Sequence, residues 1–151
     1  MRLKKENYDA LARLAEYADQ LKSALEQDKT ARMSEEGKAE ASTEAEGDSS
    51  KVLYVGASPD DNFNAVLYKF QQDFYDSELV DSNYSHTIKR LGGGLSGYEL
   101  AAAPSDCDVK LLLAVLTFFV RAERFVWGFW DDFENRENLV RVLFRLRSLV
   151  E

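Results

Sequence analysis

Few side chains in this chain are able to do covalent chemistry: there is one cysteine, Cys107, and one histidine, His86. A thiol beside an imidazole is an arrangement that makes a nucleophile. Cys107 falls in the first turn of a long apolar segment that reads as a helix, where the positive end of the dipole lowers a thiol pKa. Asp106 and Asp108 flank it and oppose thiolate formation, and His86 belongs to a different segment. A small residue filling a gap is the simpler account of Cys107. The second place is "LLLAVLTFFVRAERFVWGFW", residues 111–130, where Arg121, Glu123 and Arg124 interrupt an apolar run. A carboxylate in apolar surroundings can act as a general acid. Glu123, His86 and Cys107 are therefore the candidate catalytic residues, and a polar pocket around Arg121, Glu123, Arg124 and His86 is the enzymatic reading.

The alternative for Glu123 is structural. On a helical wheel of about 100° per residue, Leu112, Leu116 and Phe119 define one face of this segment, while Lys110, Thr117, Arg121 and Arg124 fall on the other. Glu123, if the helix reaches it, projects between Leu116 and Phe119. A bare carboxylate there costs several kcal/mol, so it calls for a partner. The last apolar stripe carries Arg147 among Val140, Leu143 and Phe144. A pair between Glu123 and Arg147, or failing that Arg124, is the expected lock.

Other constellations weigh less. "GGGLSG", Gly92 to Gly97, has the spacing G-x-G-x-x-G, but no strand precedes it and no βαβ unit surrounds it, so it reads as a helix terminator and implies no cofactor. One histidine and one cysteine do not make an ordinary zinc site. Asp131, Asp132 and Glu134, with Glu123, could suit a hard cation, yet an acidic helix start explains "DDFEN" and no metal is assigned. The aromatics Phe125, Trp127, Phe129, Trp130 and Phe133 are the densest feature: five in nine residues exceed what one helical face hides. They read as core plus a lid, or as a binding patch of rigid anchors.

The elements that must position these residues are helical. Tyr8, Leu11, Leu14, Ala15, Ala18, Leu21 and Leu25 recur at helical spacing. Phe63, Val66, Leu67, Phe70 and Phe74 form a second stripe behind a start made of Ser58, Pro59, Asp60 and Asp61. Shorter helices follow at "DSNYSHTIKRLGG" and from Gly97 to Ala103. The central apolar helix spans about 106–124 with Ser105 as its cap, and a turn near Gly128 leads to a last helix carrying Leu139, Val142, Leu143 and Leu146. Residues 30–51, rich in Glu, Ser, Ala and Gly, read as a disordered acidic linker able to prolong the first helix, and "KVLYVGAS" as a short extended run. The fold class is all-α: one domain over 1–151, a compact bundle of about five or six helices around the central one.

Composition narrows the function. A net charge of −8 and a pI near 4.8 argue against a nucleic-acid binder. The longest apolar run, Leu111 to Val120, is about half of the ~20 residues a membrane span needs, so no membrane association is expected. With one cysteine and no secretory signal in view, the expected location is the cytoplasm. The segment from Thr117 to Gly128 resembles an uncharacterised bacterial family, a domain of unknown function with the signature T-x-x-V-R-x-E-R-F-x-x-G. Thr117, Val120, Arg121, Glu123, Arg124, Phe125 and Gly128 match it, and "LVRVLFRLRSL" follows as it does in that family. The resemblance implies a bacterial source and no activity, cofactor or partner. The leading expectation is a non-enzymatic interaction module using Phe125, Trp127, Phe129, Trp130 and Phe133, engaging a protein partner or a second copy of itself as a homodimer. A small enzyme is the alternative, and an acidic decoy of a nucleic-acid-handling protein a weaker one.

Overall fold

The apolar periodicities become helices with little left over. In a computed structural model, the described residues are 5–41 and 62–150, with side chains described over 7–31 and 62–150. The helices are α1 (Lys5–Ala15), α2 (Tyr17–Ala41), α3 (Asn62–Asp76), α4 (Tyr84–Leu91), α5 (Gly97–Ala102), α6 (Val109–Ala122) and α7 (Phe133–Val150), with single 3₁₀ turns at Pro104–Asp106 and Phe129–Asp131. No strand occurs among the described residues, and the class is all-α. None of their helices is long and apolar enough to cross a membrane.

The first stripe yields α1 and α2, parted only at Glu16, whose N–H still donates to the Ala12 carbonyl at 3.2 Å. Tyr8 was expected on the buried stripe and is 46% exposed instead. α2 runs on to Ala41, so the start of the acidic stretch prolongs the first helical element. The remainder of that stretch, the extended run at 51–58 and the expected helix start at Ser58 to Asp61 lie outside the described residues.

α6 is the axis of the bundle. Leu112, Val115, Leu116, Thr117 and Phe119 are wholly buried. α7 lies against α1, α2, α5 and α6, α3 lies against α2, and α4 covers the remaining side of α6. Thr117, on the supposed polar side, is buried too, and its contact outside α6 is with Asp81, just ahead of α4. Its hydroxyl donates to the Leu113 carbonyl at 2.8 Å and accepts from the Asp81 N–H at 3.0 Å. The cap of α6 is Asp108, accepting from Leu111 N–H at 2.9 Å, because Pro104, Ser105 and Asp106 form a separate turn.

The glycine-rich turn is a terminator, as its context implied. Ser96 then opens α5 through a capping box closed by Glu99. A Cβ on Gly97 would lie 2.7 Å from the Phe118 ring, so a side chain there would push α5 off α6.

Candidate functional site

α6 ends at Ala122, short of the acidic residue that drew attention. Glu123 is its C-cap, and the chain folds back through a hydrogen-bonded turn. Arg124 N–H donates to the Arg121 carbonyl at 3.0 Å, and Phe125 and Val126 N–H groups donate to the Ala122 carbonyl at 3.0 and 2.8 Å. Gly128 adopts φ +76°, a conformation that costs a β-carbon residue, and starts the 3₁₀ turn that leads to α7.

This hairpin-like excursion divides the aromatic run. Phe129 and Trp130 are 2% and 3% exposed, stacked edge-on at 4.9 Å, with Phe119 behind Phe129 at 5.6 Å. Phe133 is half-buried. Phe125, Val126 and Trp127 point the other way, at 76%, 47% and 97% exposure. The expected patch of five is therefore a tip of two aromatics and a valine standing on a root of core aromatics. Val126 was not anticipated, and Phe129 and Trp130 belong to the core.

Among the described residues, Glu123 pairs with neither Arg147 nor Arg124, so the expected lock is not seen there. Because the helix stops first, the wheel projection does not reach Glu123, which is exposed, as is Arg124. Arg147 instead pairs with Asp19 at 2.7 Å and lies over Phe144 at 4.6 Å. Arg121 is half-buried against Tyr84, 5.8 Å from its ring centre, and its Nε is buried with no hydrogen-bond partner among the described residues.

A different lock sits beneath the tip. Asp28 of α2 and Arg136 of α7 are 6% and 4% exposed and meet at 3.4 Å. Asp28 Oδ1 accepts from the Asn62 backbone N–H at 2.9 Å, and Oδ2 from Phe63 N–H at 2.8 Å. A carboxylate from another helix thus accepts from the N–H groups that open α3. Arg136 Nε donates to the Trp130 carbonyl at 2.6 Å, and its guanidinium lies between Phe63 and Phe133, at 5.0 and 4.9 Å from the ring centres. The root of the tip is thereby tied to three helices.

The candidate catalytic residues do not converge. His86 is exposed on α4 and lines a cavity of about 650 Å³ with Arg90, Glu78, Lys110 and Tyr8. Arg121, Glu123, Arg124 and Cys107 are not among the residues lining it. Cys107 is 2% exposed; burial pushes its thiol pKa up, against the nearby Arg145 guanidinium that would lower it, while Asp108 and Asp106 add to the rise. Burial and a raised pKa both work against a thiolate nucleophile at Cys107.

An open groove of about 610 Å³ between α2 and α7, lined also by Pro104 and Ser105, is cationic. Lys22, Lys29, Arg141 and Arg145 line it against Glu26 and Glu137, in a chain whose net charge is −8. Lys29 pairs with Glu137, and Arg141 stands 3.6 Å from the same carboxylate. The buried Leu25 and Val140 and the half-buried Phe144 form its apolar lining.

Both features escaped the sequence reading, although one left a mark. Asp28 continues the spacing of Leu21 and Leu25, and Arg136 precedes Leu139, Val140 and Leu143 at the same spacing. A charge on an apolar stripe is the signal. The groove has no such mark, since its cations come from two helices distant in sequence. The chain matches no family model, no curated protein and no solved structure.

Proposed function

We propose that this chain is a protein-interaction module whose contact point is the tip formed by Phe125, Val126 and Trp127. The observation that carries this reading is Trp127, 97% exposed beside Phe125 at 76%. Leaving two large aromatics in water forgoes the burial that stabilises a fold, and such residues are the commonest anchors of protein interfaces. The tip is also held in place. Its backbone is hydrogen-bonded through the turn, and its root is fixed by Phe129, Trp130 and the Arg136–Trp130 contact. An anchor already ordered loses less entropy on binding. The bacterial source and the family likeness of Thr117 to Gly128 remain part of the proposal, and neither adds a partner.

Photo-crosslinking from position 127 in the host cell tests the reading, with position 68 as control, since Tyr68 is 65% exposed without an aromatic neighbour of that kind. Discrete crosslinked products from 127 and none from 68 are expected. No product from 127, or the same products from both, overturns it.

A second reading is favoured by the His86 cavity, where Glu78 holds φ +61° although it is not glycine. Backbone strain of about 1–3 kcal/mol gathers at ligand sites, so a small molecule recognised by Arg90, Lys110 and His86 is the runner-up. Perturbation of the His86 ring resonances by small carboxylates would support it, and silence across such a panel would remove it.

A further inference from the structure

The interaction reading leaves the partner open, and a surface on the same molecule matches the tip. We infer that the tip of one copy seats in the α2–α7 groove of a second copy of this chain. The inference rests on the tip being a contact surface and adds the identity of the partner.

Three observations carry it. Trp127 is 97% exposed, so it does not occupy the groove of its own chain. The groove's volume of about 610 Å³ lies in the range that accepts a compact apolar group. Its apolar floor is the half-buried Phe144 beside the buried Leu25 and Val140, and Lys22 and Arg147 lie 5.6 and 4.6 Å from the Phe144 ring centre. An arriving indole therefore meets the Phe144 ring and the cations around it, and its ring face attracts both.

Charge fixes the direction. Around the tip, Glu123, Asp131, Asp132 and Glu134 are exposed, with Arg124 the exposed cation among them. Around the groove the balance reverses, with Lys22, Lys29, Arg141 and Arg145 against Glu26 and Glu137. Seating tip in groove brings acids to bases. Tip against tip, or groove against groove, sets like charges together.

The size of the contact sets its strength. Two aromatics bury about 150–250 Å² each, so one tip in one groove falls below the ~1,200 Å² total of a standard interface. Association is accordingly weak, concentration-dependent and weakened by salt. Unlike surfaces meeting in this way give either a reciprocal twofold dimer or a head-to-tail chain.

Sedimentation of the purified full chain over a range of concentrations and salt tests this. The wild type should gain mass with concentration, and Trp127→Ala should weaken association about thirtyfold or more. The double variant Lys22→Glu/Arg141→Glu, with its tip intact, should also be monomeric. Mixed with Trp127→Ala, which keeps the groove, it should regain a species of dimer mass joined by one contact. Circular dichroism confirms that both variants are folded, as substitutions at exposed sites should leave them. A wild type that stays monomeric, a Trp127→Ala chain that associates normally, or a folded pair of variants that fails to complement overturns the inference. A monomeric chain that still crosslinks from position 127 to a different protein overturns this inference alone and leaves the interaction reading standing.

Discussion

Two aspartate–arginine pairs join the same helices, α2 and α7, and they do different things. Asp19–Arg147 is shorter, at 2.7 Å, with side chains 73% and 33% exposed. Asp28–Arg136 is longer, at 3.4 Å, with side chains 6% and 5% exposed. Distance alone would rank the first as the stronger. Water reverses the order, because an exposed pair exchanges one solvation for another and gains little. A buried pair has left its water behind and depends wholly on its partners. Asp28 finds them in the opening N–H groups of α3, and Arg136 in the Trp130 carbonyl and two aromatic faces. The comparison separates a joint that organises four segments from a contact between two surfaces.

The largest effect expected is from Arg136→Ala, which strands the Asp28 carboxylate in the interior. Removing one member of a buried pair costs about 3–5 kcal/mol, to be read from urea unfolding midpoints. It should also loosen the Trp130 root, so Trp130 fluorescence should shift before global unfolding. A loss below about 1 kcal/mol would erase the distinction between the two pairs. Replacing both members, Asp28→Asn with Arg136→Met, should recover part of the loss, since no buried charge then stands alone.

Asp28→Asn by itself should cost less, about 1–3 kcal/mol. The amide oxygen can still accept from one of the α3 N–H groups, and Arg136 keeps its bond to the Trp130 carbonyl. Measured beside Arg136→Ala, this variant tells whether the joint is chiefly a helix cap or chiefly an ion pair.

The two pairs also show how far a sequence can be read. Apolar spacing located the helices and the central place of α6, because burial of Leu112, Leu116 and Phe119 leaves a periodic trace. Reading an inward charge as a sign of a lock was sound physics applied to the wrong residue. Glu123 lies one residue past the end of α6, and helix ends are set by local capping and turn geometry that a periodic projection does not contain. Asp28 sits well inside α2, and Arg136, in the first turn of α7, is still within that helix, so the projection holds for both. The division of the aromatic run was invisible for a related reason: it depends on Gly128 taking φ +76° and reversing the chain between Trp127 and Phe129. Thr117 fell with the polar residues because nothing in its own helix announces that Asp81 will hydrogen-bond to it.

A third bond of α2 lies between these extremes and can be moved by pH. The Tyr17 hydroxyl donates to Asp73 of α3, and its pKa is raised to about 12, by burial first and then by the Asp73 bond and charge. The folded state therefore holds the phenol proton more tightly than the unfolded chain, whose tyrosine titrates near ~10. The stability from this bond is whole below about pH 10 and should fall as pH rises toward 12. Tyr17→Phe keeps the edge-on contact with Phe70, at 5.6 Å, and should cost about 1 kcal/mol at neutral pH. Its stability should then decline less than the wild type's between those pH values. An identical alkaline slope in both proteins would show that the bond to Asp73 is solvated, like the Asp19 pair.

The smallest effect belongs to Asp19→Ala. The carboxylate is 73% exposed, and its loss leaves Arg147 still lying over Phe144 at 4.6 Å. The change should be about 0–1 kcal/mol at low salt and should vanish as salt screens the pair. The informative quantity is the contrast in salt dependence. Added salt should shrink the Asp19→Ala difference and leave the Arg136→Ala difference nearly whole, because ions do not reach the interior around Asp28. If salt reduced both alike, the interior joint would have to be open to solvent. The root of the tip would then be far less fixed than its hydrogen bonds imply, and the entropic advantage assigned to Trp127 as an ordered anchor would go with it.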